Sequence, residues 1–85
     1  GDNDDLFTRK VLCKDCFFPG NNQSAFNGTY IYAKIRYQAL PAEGMLNVGE
    51  DFVSVTFKEP QRAAAPGQSM VFYDGERVIG GGIIV

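Results

Sequence analysis

Cys13 and Cys16 stand with two residues between them in "CKDC", the spacing of a dithiol–disulfide pair or of half a zinc site. Two ligands cannot close a tetrahedral site, and the chain holds no His to complete one. A redox pair of the thioredoxin kind sits where a strand hands over to a helix. Here the pair falls inside "LFTRKVLCKDCFF", which reads as strand throughout. Both thiols are expected to be reduced and buried or half-buried, with no metal role. Acids that could pair for proton transfer, Glu50 with Asp51 and Asp74 with Glu76, fall at turns, where carboxylates stay solvated. With no His to act near neutral pH and no Ser in a glycine-flanked elbow, the expectation is a chain with no catalytic residue of its own.

Binding chemistry is better represented. If extended, "TYIYAKIRY" sets Tyr30, Tyr32, Lys34 and Arg36 on one face and Ile31, Ala33, Ile35 and Tyr37 on the other. Tyrosine rings can stack on unpaired bases, and Lys or Arg can meet phosphates. An exposed strand built from β-favouring tyrosines and solubilising charge would look the same. Gln68 follows a Pro66-Gly67 turn and offers both donors and an acceptor. Asn22 and Asn27 open glycosylation-type triplets, and with no secretory signal ahead of them they read as loop residues.

The elements that must carry these groups are strands. The one helix-friendly stretch, "QALPAEGML", is broken by Pro41 and Gly44. Leu6 to Phe18 reads as a long, imperfectly alternating strand with Phe7, Val11, Cys13 and Phe17 on one parity, and "PGNNQSAFNG" ends it. After "TYIYAKIRY" comes a short strand around Glu43 to Val48, then a turn at "NVGED". "FVSVTF" follows, with Val53, Val55 and Phe57 inward and Ser54 and Thr56 outward. "KEPQRAAAPGQ" is expected to be loop, and "SMVFYDGERVIG" a hairpin turning at Asp74-Gly75. Gly80, Gly81 and Gly82 fit a sharp bend or a close approach of two backbones, since no helix follows to make them a phosphate cradle. About six strands in so short a chain predict an all-β fold: a small closed antiparallel β-barrel, which leaves no long edge exposed.

Eighty-five residues make one domain, and no run approaches the roughly 18 apolar residues of a membrane helix. Residues 1–5 read as an acidic tail or as the remnant of a cut from something longer, and residues 6–85 as a single barrel. Net charge is −2, but three of the ten acids lie in that tail. Seven acids then face eight bases from Leu6 onward, so overall charge decides nothing about partners and local placement must.

"LFTRKVLCKDCFF", "KIRYQA" and above all "VTFKEPQRAAAPGQSMVFYDGERVIGGGII" resemble the C-terminal domain of the bacterial tRNA-specific 2-thiouridylases, from about Asp5 to Val85. The resemblance implies a barrel similar to the second domain of translation elongation factors. It implies a tRNA-modifying transferase, located in the cytoplasm, whose ATP-using catalytic domain and catalytic cysteines lie outside this sequence. No cofactor is expected in this domain itself, with ATP serving the parent enzyme. The implied partners are tRNA, the N-terminal and central domains of that enzyme and, through them, a sulfur-relay donor, with no membrane involved. The family's tRNA-contacting basic–aromatic pair falls on Arg36 and Tyr37, its turn amide on Gln68, and its leading lysine on Lys34, a supporting phosphate contact. Gln38 stands where the family often has a further arginine, which removes one charge from that face. Strict alternation opposes Arg36 and Tyr37, so Tyr37 is either core or placed at a strand end. Two rivals remain: an intramolecular scaffold with little RNA contact, and a free-standing interaction module.

Overall fold

The computed structural model describes residues 7–20, 23–35, 40–62 and 64–85. Among them six strands form: β1 (Phe7–Phe17), β2 (Thr29–Ile35), β3 (Ala42–Val48), β4 (Val53–Arg62), β5 (Ser69–Asp74) and β6 (Arg77–Ile84). All pairings are antiparallel, and the order β1-β4-β3-β2-β5-β6 closes on itself as a barrel. The expected all-β closed barrel is therefore the fold. One 3-10 turn, Gln23–Phe26, interrupts the strands, and the sequence pattern did not foretell it. Among the described residues, no helix is long and apolar enough to cross a membrane.

Alternation builds the core. Ile31, Ala33 and Ile35 of β2 point inward as expected, as do Val53, Val55 and Phe57 of β4. They meet Leu46, Met70, Phe72, Ile79 and Ile84 from the other strands. Phe18 caps this core, stacking on Phe26 at 5.9 Å and on Phe72 at 5.7 Å between ring centroids. Burying one such ring stabilises the fold by roughly 1.5–3 kcal/mol. Asn27 ties the cap to the sheet, its side-chain oxygen accepting the Val48 N–H at 2.8 Å.

Four details depart from the sequence pattern. Phe7 and Phe17 are exposed, although they share parity with buried Val11 and Cys13. The register of β1 slips against β4 between Thr8 and Lys10, and against β6 between Lys14 and Phe17. Asp15 adopts φ 51°, so the chain gains a residue there and burial passes from Phe17 to Phe18. Ser54 faces outward yet is buried, because β4 lies between β1 and β3 with Leu12 and Asn47 directly beside it. The stretch expected to be loop after Phe57 continues as strand to Arg62, where Gln61 and Arg62 pair with Thr8 and Phe7. Finally, Asp74 pairs with Arg77, so the hairpin turns on Gly75 and Glu76. Gly75 takes φ 62° at the first loop position, as a II′ turn requires, one residue later than expected.

The consecutive glycines behave as the sequence suggested. A Cβ on Gly80 would lie 2.6 Å from the Phe17 carbonyl oxygen and 2.6 Å from the Phe18 ring. One on Gly81 would lie 2.8 Å from the Met70 carbonyl oxygen, and one on Gly82 2.5 Å from Cys16 Sγ. Neighbouring backbone at Gly80 and Gly81, and the Cys16 sulfur at Gly82, thus leave no room for a Cβ. Gly80 has an ordinary negative φ, so Gly80→Ala introduces strain purely by contact. It is expected to cost about 1–3 kcal/mol. In a domain this small that lowers Tm by roughly 4–8 °C per kcal/mol, to be read by circular dichroism melting.

Candidate nucleic-acid interface

Local structure decides the fate of the sequence-nominated thiols. Cys13 alternates inward and is fully buried, with its Sγ 4.0 Å from Met70 Sδ. Cys16, past the Asp15 bulge, is half-buried and donates to the Lys14 carbonyl at 3.7 Å. Burial, and secondarily the neighbouring Cys16, pushes the Cys13 thiol up to about 12. Burial also raises Cys16, against an opposing hydrogen bond from the Val53 backbone. Neither is the activated thiolate that nucleophilic or redox chemistry requires. Glu50, Asp51, Asp74 and Glu76 all sit exposed at turns, Asp74 with Arg77 at 3.8 Å. Among the described residues no three His, Cys, Asp or Glu gather into a metal-binding group.

On β2, inward Ile31, Ala33 and Ile35 leave Tyr30, Tyr32 and Lys34 on the outer face. Tyr30 is 57% exposed and Tyr32 40%, while Lys34 is half-buried opposite Val71 of β5. Gln68 ends a tight turn in which its own N–H reaches the Ala65 carbonyl at 3.3 Å and Gly67 takes φ 94°. Pro at the second position and a left-handed Gly at the third are what a type II turn needs. The Gln68 side-chain oxygen accepts the Ala65 N–H at 3.1 Å, so the NH2 group is the donor end of the amide. Two further bonds hold this turn to the end of β6: Gly67 N–H to the Ile84 carbonyl at 2.7 Å, and Ile84 N–H to the Gln68 carbonyl at 2.8 Å. Ile35 pairs with Met70, two residues beyond Gln68, so Lys34 and Gln68 belong to the same end of the β2–β5 ladder. Arg36 and Tyr37, together with Gln38, lie outside the described residues.

Residues 9–84 match the aminomethyltransferase β-barrel domain family. The chain belongs to this family. Over 85 residues it is 45% identical to a tRNA-specific 2-thiouridylase of Clostridioides difficile and 42% identical to one of Koribacter versatilis, covering 99% of this chain in both cases. A tRNA-specific 2-thiouridylase of Pseudomonas putida is 40% identical over 79 residues, 93% of this chain. The chain spans about a quarter of the length of these relatives, 23% of the first two. Within the family, then, the relatives that share this version of the barrel carry it as one part of a longer polypeptide.

Two residues of this aminomethyltransferase-type barrel were missed by sequence reasoning. Tyr73 pairs directly with Tyr32, and Lys58 holds its ammonium 4.6 Å from the Tyr30 ring centroid. Alternation from buried Phe72 and Phe57 put both on the outer face, but only the strand order sets Tyr73 of β5 beside β2 and lets Lys58 of β4 reach Tyr30 across β3.

The buried thiol has a measurable consequence. In the unfolded chain Cys13 ionises near its ordinary value of 9.0, and in the folded barrel only near 12. Below about pH 9 both states keep the proton and the thiol contributes no pH dependence. Above it the unfolded chain ionises first, so stability falls by about 1.4 kcal/mol per pH unit. Cys13→Ala removes that component. Urea unfolding of both proteins from pH 8 to 11 is expected to show the steeper decline in the wild type only.

Proposed function

We propose that this barrel is the tRNA-holding domain of a tRNA 2-thiouridylase that thiolates the wobble uridine. The observation that carries the reading is the similarity along 99% of the chain to proteins named for that activity. In this reading the adenylating, ATP-using chemistry and the sulfur transfer belong to other domains of a cytoplasmic parent enzyme, which also meet the sulfur-relay donor. The barrel by itself is catalytically inert.

Its contribution is positional. Lys34 and Arg36 neutralise phosphates, and Tyr37 and Gln68 contact sugar or backbone oxygens. Such contacts set register without reading sequence. The geometry of Gln68 supports its part: the carbonyl end of the amide is held by the Ala65 N–H, so the side chain is already restrained and loses less entropy when its NH2 end meets an anion. A scaffold role draws support from another surface. Phe17 (69% exposed) and Val78 (55% exposed) flank an apolar groove of about 410 Å3 over Gly80–Gly82, a face suited to packing on another domain.

Titration of the isotope-labelled chain with unmodified tRNA, followed by backbone amide NMR, separates the two. Shifts centred on residues 34–38 and 68 support tRNA holding, whereas shifts absent at low salt leave the scaffold reading. Gln68→Glu keeps the acceptor for Ala65 and replaces the donor with a charge. It is expected to weaken tRNA binding roughly 10- to 100-fold without unfolding the turn. Lys34→Ala is expected to lower the slope of log K against log salt by roughly 0.7–0.9.

A further inference from the structure

We propose that the outer face of the β3–β2–β5 sheet is a stacking platform for unpaired RNA nucleotides, formed by Tyr30, Tyr32 and Tyr73 and bordered by Lys34 and Lys58. The inference rests on the tRNA reading and extends it from the RNA backbone to its bases. Tyr32 and Tyr73 are direct partners in the β2–β5 ladder. Directly opposed side chains leave their strands about 5 Å apart at Cβ. Tyr30 stands two residues along the same face, about 7 Å away at the strand rise. The three phenols therefore form one aromatic surface across two strands. Beneath them Ile31, Ala33 and Phe72 are buried, so the platform is built on packed core and exists before any ligand arrives.

Two lysines border the rings, where a nucleotide's phosphates would lie. Lys58 lies over Tyr30 at 4.6 Å and also pairs with Glu43 at 3.1 Å. Glu43 is the β3 partner of Tyr32, and Lys58 offsets its charge. Lys34 extends the same face toward the Gln68 turn. Because the barrel is closed, β2 and β5 have neighbours on both sides and offer no edge for a peptide to join as a strand. What remains is side-chain chemistry: π-faces next to cations, which favours bases next to phosphates.

The chain has four Tyr and no Trp, so its intrinsic emission reports on tyrosine directly. We would titrate it with a single-stranded uridine octamer and, separately, with unmodified tRNA. Quenching by the octamer is expected. Tyr32→Leu and Tyr73→Leu should each weaken octamer binding roughly 5- to 150-fold, with the salt slope unchanged because no phosphate contact is lost. Tyr32→Phe should retain binding, and melting curves of all variants control for folding. Tyr30→Ala, at the most exposed of the three rings, supplies a variant with little packing to lose. Equal octamer binding by wild type and the Tyr32→Leu, Tyr73→Leu and Tyr30→Ala variants, or tRNA binding without octamer binding, overturns the platform. The tRNA reading then survives if Gln68→Glu still weakens tRNA binding, and the tyrosine face falls to a protein partner. Failure to bind either RNA overturns both readings together.

Discussion

The barrel closes where Gly80, Gly81 and Gly82 of β6 pass β1 and β5 with no space for a Cβ. That contact joins the last strand to the first, with Phe17 opposite Gly81 and Cys13 opposite Ile84. Closure also ties down the last residues: Val85 N–H reaches the Leu12 carbonyl at 3.0 Å, and Ile84 exchanges bonds with the turn that carries Gln68. The candidate interface therefore inherits its geometry from a steric fact on the adjoining strand. Widening the approach at the glycines would loosen the Gln68 turn as well as the core.

Closure also explains the irregularities of β1. A strand that must pair with β4 on one side and β6 on the other cannot follow both without local adjustment, and bulges supply the extra bend and twist. The Asp15 bulge, with φ 51°, turns Phe17 out and Phe18 in. It also separates the environments of two cysteines close in sequence, leaving Cys13 wholly interior and Cys16 half-covered. The thiol pair that first suggests chemistry is thus part of the packing beside Gly82.

On β2 the same alternation sets both the packing face and the candidate binding face. Each inward residue, Ile31, Ala33 or Ile35, fixes the direction of an outward neighbour. The outer face has no core to fill, so its tyrosines and lysines are free to be chosen for contact with a partner. Lys58 unites these roles, since it answers Glu43 electrostatically while lying on the Tyr30 ring. Exposed pairs of this kind contribute little to stability, typically below about 1 kcal/mol. Their value is in holding cations next to aromatic faces.

Several features were determined by sequence alone. Period-two alternation in "TYIYAKI" and "FVSVTF" named the inward residues correctly, and turn chemistry marked the Pro66-Gly67 turn and the final hairpin, because these signals depend on neighbours a few residues away. The glycine run disclosed a close approach for the same reason: a missing side chain is visible locally. Gln68 and Lys34 were legible as candidates, the first through its turn and the second through its strand. What local pattern could not contain was the identity of the neighbour. The phase change at Asp15, the burial of outward-facing Ser54 and the extension of β4 to Arg62 all follow from pairing with strands distant in the chain. The meeting of Tyr32 with Tyr73, and of Lys58 with Tyr30, came likewise from the order β4-β3-β2-β5, which only closure of the barrel decides.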